Sequence, residues 1–193
     1  MTEVRIRIQR MGGTSSPTSL IVNAYSVTSG LILIFKMYDL AIMKHADTHN
    51  ILYPLQHGFR KGLSCETQLI ECVDDITRNI EAGKQTDCLI MDFSKAFDKV
   101  SHSLLQHKLD HYAIRGKTCE WIKTFLSDRS QSVVIEGESS NKIPVQSGAG
   151  VPQDSVLDPS LFLSYINDMP EGITSKVRLF ANDTIAYVTM SSD

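Results

Sequence analysis

Two apolar segments that end in acidic residues constrain the fold of this chain most strongly. The run Cys88–Met91 leads directly into Asp92, and a later segment places Asn182 and Asp183 between two apolar stretches. The first pattern predicts a strand that ends at Asp92, and the second predicts a hairpin with the two polar residues at its turn. Carboxylates in such positions can hold a divalent ion, although Asp is also common there for conformational reasons alone.

The composition is typical of a globular protein. The 193 residues suffice for one domain with a core, and 42% of them are hydrophobic. The net charge of −3 requires any nucleic-acid-binding surface to be a local basic groove, or to be supplied by parts outside the chain. No secretory signal is visible, and the apolar run at 31–35 is too short to cross a bilayer. We therefore predict a soluble, intracellular protein without a membrane span.

The cysteines do not have the spacing of a zinc site. Cys65, Cys72, Cys88 and Cys119 include no C-x-x-C pair. We expect them to be buried free thiols in a reducing compartment.

The first half of the chain predicts two helices. Residues 1–19 lack a periodic pattern and are predicted to be a disordered leader, and a helix within 20–50 ends before Asn50. Ser64 is predicted to cap a second helix that Gly83 ends. Apolar residues recur through this helix at steps of three and four and predict its buried face: Leu69, Ile70, Val73, Ile76 and Ile80.

The second half mixes helices and hairpins. A buried strand is predicted at Asp87–Met91, followed by helices that begin at Ser101 or Ser103, contain Trp121, or open at Pro159. Hairpins are predicted for 132–136 with 142–146, and for 176–181 with 184–188. Because these elements do not alternate regularly, they predict an α+β fold with an antiparallel sheet.

Five segments, in order, resemble the reverse transcriptases of non-LTR (LINE-type) retrotransposons. They are Gln56–Leu69, Asp92–Val100, Gly150–Gln153, Phe162–Pro170 and Leu179–Thr184, and they span about residues 50–190. The resemblance implies a partial reverse transcriptase domain at 20–193. Its fingers would occupy about 20–86 and its polymerase palm, an antiparallel sheet packed on helices, about 87–193, with the thumb absent. It also implies RNA-directed DNA synthesis from an RNA template, a DNA primer and deoxynucleoside triphosphates.

The resemblance assigns the metal site by position. Asp92 and Asp183 match the residues that bind two Mg²⁺ ions, with Mn²⁺ as a possible substitute. The carbonyl of Phe93 would add a ligand. Asn182 stands where the family has the first Asp of its F-A-D-D box.

The resemblance also implies a nucleotide site. Arg60, with Lys61 beside it, matches the arginine that holds the incoming triphosphate, and a guanidinium suits phosphate because its planar fork donates two hydrogen bonds at once. Phe97 matches the aromatic residue that screens the sugar 2′ position. Gln153 matches the glutamine near the nucleotide and the template.

Three departures from the family pattern predict impaired catalysis. Asn182 is neutral and offers one carbonyl oxygen where a carboxylate offers two and a charge. Asp154 and Asp158 replace glycines, which permit backbone conformations that Asp tolerates poorly. We therefore expect weaker ion binding, little or no activity and a degenerate fragment.

Other functions remain open on the sequence. A non-catalytic remnant that binds nucleic acid or protein is the main alternative, and an unrelated magnesium phosphohydrolase using Asp92 is a weaker one. The histidine pairs 45/49 and 107/111 have helical spacing but no Glu in the metalloprotease pattern. The oligomeric state is left open. Six cations are candidates for a phosphate-facing groove: Arg60, Lys61, Arg115, Lys117, Lys123 and Arg129.

Overall fold

The computed structural model describes residues 29–127, 129–131, 134–135, 138–141, 143–144, 148–153 and 155–190. The predicted leader at 1–19 and Asp154 lie outside these residues. The helices are α1 (Ser29–Thr48), α2 (Cys65–Glu81), α3 (His102–His111), α4 (Lys117–Leu126) and α5 (Asp158–Ile166). The strands are β1 (Gln85–Asp92), β2 (Ser130–Gln131), β3 (Val134–Ile135), β4 (Glu138–Ser139), β5 (Ile143–Pro144), β6 (Lys176–Phe180) and β7 (Asp183–Met190). The α+β class is confirmed.

A three-stranded antiparallel sheet with the order β1-β7-β6 forms the framework of the described fold. The register of β1 and β7 runs from Gln85 opposite Met190 to Asp92 opposite Asp183. The loop before α2 adds to the outer edge of β6, because the Leu179 amide donates to Leu55 O at 3.0 Å and the His57 amide donates to Leu179 O at 2.9 Å. Three chain segments that are distant in sequence therefore meet near the end of the sheet where β1 finishes.

The main core lies among the helices. Its fully buried side chains include Leu105, Ile122 and Phe162, which come from α3, α4 and α5. Trp121 packs against this core and stacks on Tyr38 of α1, with ring centroids 4.0 Å apart. The predicted helix that contains Trp121 is confirmed as α4, and the predicted helix that ends before Asn50 is confirmed as α1.

Helix α2 begins and ends as predicted but turns a different face to the sheet. Ser64 accepts a hydrogen bond from the Thr67 amide through its hydroxyl, and the Ser64 amide donates one to the Thr67 hydroxyl. Gly83 follows the last turn at φ +68°. The buried residues are Gln68 and Cys72. The prediction that the apolar face is buried is wrong, since all of its residues are exposed or half-buried: Leu69, Ile70, Val73, Ile76 and Ile80. The sheet presents a polar surface to α2, so the polar side of the helix packs inward.

Strand β1 is longer and more exposed than predicted. It covers all of Asp87–Met91, but Leu89 is 47% and Ile90 63% exposed. The prediction of a buried strand is wrong because β1 is an edge strand of the described sheet. Its free thiol, Cys88, is exposed as well.

The cysteines differ in their burial. Cys65 and Cys88 are exposed, so the prediction of buried thiols fails for both. Cys72 is buried as expected, whereas Cys119 is only half-buried.

The region predicted as one hairpin contains two short antiparallel pairs. β2 pairs with β5, and β3 pairs with β4 through Ile135 opposite Glu138. A 3₁₀ turn at Phe97–Lys99 was not predicted. Among the described helices, none combines the length and hydrophobicity that a membrane crossing requires.

Candidate active site

Asp92 and Asp183 lie opposite each other where β1 ends and β7 begins. Their Cα atoms are register partners of the antiparallel pair, and such partners project their side chains from the same face of a sheet. Partial burial, followed by the nearby Asp92 carboxylate, raises the pKa of Asp183. The two carboxyl groups predicted from the sequence to form one site are therefore neighbours in space.

Asn182 interacts directly with this pair. Its side-chain Nδ2 donates a hydrogen bond to Asp92 Oδ1 at 3.1 Å. An Asp at the same position would add a third carboxylate to Asp92 and Asp183 instead of a donor. The neutral residue therefore lowers the repulsion between the acidic groups and also occupies one carboxylate oxygen.

The chain crosses from β6 to β7 in a tight turn. Phe180 pairs with Asp183, which leaves Ala181 and Asn182 as the two connecting residues. Ala181 has φ +54°, in the left-handed region that costs a residue with a Cβ atom roughly 1–2 kcal/mol. Backbone strain of this kind is common at functional sites.

Phe97 lies close to two other aromatic rings. It contacts Phe162 of the core at a centroid distance of 4.2 Å, and its ring meets Phe59 edge to face at 6.4 Å. Phe59 precedes Arg60 and has φ +57°. The predicted sugar-screening residue is thus supported by the core from behind and touches the segment that carries the predicted phosphate ligand.

A loop anchors Gln153 beside this 3₁₀ turn. The Gly150 amide donates to Val100 O at 2.8 Å, and the Val151 amide donates to Phe97 O at 3.0 Å. Gln153 Nε2 then donates to Asp98 Oδ1 at 2.9 Å. Gln153 and Phe97, predicted to contact the same nucleotide, are therefore held by one network of backbone hydrogen bonds.

The predicted phosphate ligands, Arg60 and Lys61, differ in their surroundings. Arg60 Nη2 lies 3.4 Å from Asp47 Oδ1 of α1, while its Nη1 is buried without a hydrogen-bond partner. Lys61 is exposed. The orphaned Nη1 retains hydrogen-bonding capacity that an oxyanion could satisfy.

A cavity of about 330 Å³ opens beside Phe93, next to Asp92. Its lining is mainly apolar, with Lys99 as the cation and Phe162 and Tyr165 from α5. Phe93 itself is half-buried.

The donor set fits a hard divalent cation. The residues that the structure describes contain no group of three or more His, Cys, Asp or Glu side chains suited to a metal. They do provide two carboxylates, and Mg²⁺ binds in polymerases through one or two carboxylates together with substrate phosphates and water. The site therefore has the oxygen ligands expected for such an ion, but not the full set of three acidic residues.

The other predicted binding groups are only partly available. Arg115 pairs with Asp110 at 2.7 Å, and Arg129 donates to Gly150 O at 2.8 Å. His45 bonds the Tyr112 carbonyl and His49 bonds the His45 carbonyl, so both rings serve structural contacts. Lys117 and Lys123 are exposed.

One residue next to the turn was missed by the sequence reasoning. Gln56 is 2% exposed, and its side chain hydrogen-bonds to the backbone of Ala181. No local pattern marks a glutamine in this role because its partner lies 125 residues away. The only signal was its membership of the segment Gln56–Leu69.

Comparisons with known proteins agree with these observations. The family model described as reverse transcriptase (RNA-dependent DNA polymerase) matches residues 23–193. An RNA-directed DNA polymerase from the mobile element jockey of Drosophila funebris is 30% identical over 184 residues, which are 90% of this chain and 20% of that protein. The jockey polymerase of Drosophila melanogaster is 30% identical over 169 residues, 86% of this chain and 18% of that protein.

A third relative comes from another element. The probable RNA-directed DNA polymerase from transposon X-element of Drosophila melanogaster is 29% identical over 163 residues, 84% of this chain and 17% of that protein. The chain thus spans about a fifth of the length of these curated relatives. With the family model covering most of its residues, this chain belongs to the reverse transcriptase (RNA-dependent DNA polymerase) family and carries a reverse transcriptase domain of the non-LTR retrotransposon type.

Proposed function

We propose that this chain is the fingers-palm part of an RNA-directed DNA polymerase whose own catalytic power is low. The fingers would comprise about residues 20–86 and the palm about 87–193. The observation that supports this function best is the register of Asp92 and Asp183 on adjacent strands. Family membership supports a polymerase that uses divalent cations.

Asp92 and Asp183 would hold the cations, with the Phe93 carbonyl as a further oxygen ligand. Mg²⁺ or Mn²⁺ held there would supply charge stabilisation to the attacking 3′-oxygen and the leaving pyrophosphate in nucleotidyl transfer. Partial burial first, and then the charge of Asp92, raises the pKa of Asp183. That direction is consistent with this role, because both effects disfavour a second negative charge at the pair until a cation binds.

The nucleotide would lie between the segments that carry Phe97, Gln153 and Arg60. Phe97 is fixed against Phe162 and would therefore present a rigid wall to the sugar. Gln153 would orient the base, and the fork of Arg60 would bind the triphosphate after exchanging its long contact with Asp47. Lys61 is exposed nearby in sequence and would add positive charge. The template would be RNA and the primer DNA.

Asn182 accounts for the low activity in this proposal. At about 4 Å and an effective dielectric near 20, one pair of unit charges is worth roughly 4 kcal/mol, and a divalent ion doubles the attraction. Replacing a carboxylate with an amide removes that attraction from the cation site. The loss corresponds to several orders of magnitude in rate if it acts on the transition state.

A primer-extension assay with an RNA template tests the proposal. The unaltered chain should extend the primer barely or not at all, and Asn182→Asp should raise synthesis with Mg²⁺ by at least a hundredfold. Asp92→Asn in the Asn182→Asp background should abolish the gain. Robust synthesis by the unaltered chain would refute the impaired polymerase, and failure of Asn182→Asp to respond would remove the metal site assigned here.

A second function is favoured by the exposed lysines 61, 117 and 123. These cations would allow a non-catalytic remnant to bind RNA through its phosphates. Such affinity falls steeply as salt rises, because binding releases condensed counterions. Salt-dependent RNA binding by both the unaltered chain and Asn182→Asp, without synthesis by either, would favour this alternative.

A further inference from the structure

The turn that carries Asn182 and Asp183 contains a backbone conformation that needs support from outside the turn. Ala181 is buried and adopts φ +54° without being a glycine. A buried backbone amide and carbonyl also need hydrogen-bond partners. Another part of the chain must therefore stabilise this conformation.

The side chain of Gln56 satisfies both polar groups of Ala181. Its Oε1 accepts from the Ala181 amide at 2.9 Å, and its Nε2 donates to the Ala181 carbonyl at 3.2 Å. The same Oε1 accepts from the Gly58 amide at 2.8 Å, which fixes the orientation of the Gln56 side chain. With only 2% of the residue exposed, these bonds do not compete with bulk water.

Gly58 makes this close approach possible. A Cβ atom on residue 58 would lie 2.1 Å from the Ala181 nitrogen, so any other residue would force the two segments apart. On the other side of Gln56, Leu55 and His57 bond both polar backbone groups of Leu179. The loop is thereby registered against β6 independently of the Gln56 side chain.

We propose that Gln56 is a positioning residue: its paired hydrogen bonds with the Ala181 backbone fix the turn so that residues 182 and 183 face Asp92. This inference rests on the proposed function for its catalytic meaning. Arg60 lies in the same loop as Gln56. Gln56 therefore also ties the predicted phosphate-binding segment to the predicted metal-binding turn. A purely structural glutamine would contribute to the stability of the whole fold without a selective effect at residue 182.

The test uses the full chain and three substitutions. Gln56→Met keeps the volume and removes both hydrogen-bonding groups. Gln56→Glu keeps the accepting oxygen but places a second oxygen against the Ala181 carbonyl. Gln68→Met is the matched control, because Gln68 is also buried and its side-chain polar atoms have no hydrogen-bond partner.

Two readouts separate a local effect from a global one. NMR of the Asn182 side-chain amide reports its bond to Asp92 without any cation, and hydrogen exchange of the Leu109 amide reports the stability of the core. Gln56→Met should accelerate exchange of the Asn182 side-chain amide roughly tenfold relative to Leu109, as expected for the loss of buried hydrogen bonds. Gln56→Glu should have at least as large an effect, because its carboxylate would be buried against the Ala181 carbonyl, and Gln68→Met should leave the Asn182 signal unchanged.

Mn²⁺ titration in the Asn182→Asp background provides the functional readout. Gln56→Met should weaken the affinity for Mn²⁺ roughly tenfold, while Gln68→Met should not change it. An unchanged Asn182 signal, an equal loss of protection at Leu109, or unchanged Mn²⁺ affinity in Gln56→Met would overturn the inference. If no variant binds Mn²⁺ but Gln56→Met still releases the Asn182 amide selectively, the metal site is refuted and the positioning role is upheld.

Discussion

Replacing Arg178 with Met should destabilise the fold far more than an ordinary loss of one ion pair. Arg178 lies on β6, is 3% exposed and contacts Glu71, Asp75 and Tyr187 through its guanidinium group. Its Nη2 lies 2.6 Å from Asp75 Oδ2, and the same oxygen accepts from Lys176 Nζ at 2.6 Å. Methionine fills a similar volume, so the substitution mainly removes charge and donors.

The size of the effect follows from what remains after the substitution. Removing one partner of a buried ion pair costs about 3–5 kcal/mol when the other charge is left uncompensated. Here Asp75 keeps Lys176 and Tyr187 as partners, and the Glu71 side chain is 46% exposed and can be hydrated. We therefore expect a loss of about 2–3 kcal/mol in the free energy of unfolding, or a fall of roughly 4–12 °C in Tm for a chain of this size.

Arg78 supplies the matched control for the assay. It pairs with Asp74 at 2.9 Å on the exposed side of α2, where solvent screens the pair and leaves it a small contribution to stability. Urea unfolding followed by circular dichroism should separate Arg178→Met clearly from Arg78→Met. Adding Asp75→Asn to Arg178→Met should cost less than the sum of the single changes, since both changes remove the same Arg178–Asp75 interaction. Equal stability of Arg178→Met and Arg78→Met would refute the argument that burial decides the strength of this network.

Three further predictions concern the site and the helix beside it. Asn182→Asp should lower Tm in the presence of a chelator, because a carboxylate replaces the donor to Asp92. Mg²⁺ should raise Tm more for this variant than for the unaltered chain. An equal rise in Tm for both would contradict the assigned site. Burial alone would raise the pKa of Asp75, but hydrogen bonds from Lys176, Tyr187 and Arg178 outweigh it and lower that pKa. Stability should therefore fall as the pH drops below about 4, because the unfolded chain binds a proton at this carboxyl group while the folded protein keeps it ionised, and Asp75→Asn should flatten the unfolding free energy over the same pH range. Ser64→Ala should cost about 1 kcal/mol in the free energy of unfolding in urea, because it removes the side-chain cap of α2. Ser103→Ala should cost less, because Ser103 lies inside the first turn of α3 and is not the capping residue of that helix.

The sequence predicted those features of the fold that local chemistry decides. Ser64 and Gly83 mark the ends of α2 because a cap and a left-handed glycine act on neighbouring backbone groups. The β6–β7 hairpin could likewise be predicted from its apolar strands and polar turn, with the start of β7 one residue earlier than expected. The position of Asp92 opposite Asp183 followed from the resemblance rather than from spacing, because strand pairing across so long a separation leaves no local signal.

The errors share one physical cause. Apolar periodicity shows that a helix has an apolar face, but it does not show which surface the helix meets. Helix α2 meets Arg178 and Tyr187 mainly through Asp75, and Glu71 also contacts Arg178. Leu69 and Val73 remain exposed as a result. The apolar run of β1 likewise does not show whether another layer covers the strand, and β1 lies at an edge of the described sheet.

Polar contacts therefore hold the hairpin that carries the candidate site. Arg178 fixes the middle of β6 to α2, while Gln56 fixes the turn between β6 and β7 through the Ala181 backbone. Both contacts are directional, unlike apolar packing, so each specifies one position of the hairpin relative to its neighbours. A site that must hold the position of Asp183 relative to Asp92 to within a fraction of an ångström needs this kind of restraint. Apolar burial alone would allow the turn to shift. Loss of Gln56 should accordingly disturb the site more than the fold, and loss of Arg178 should disturb the fold first.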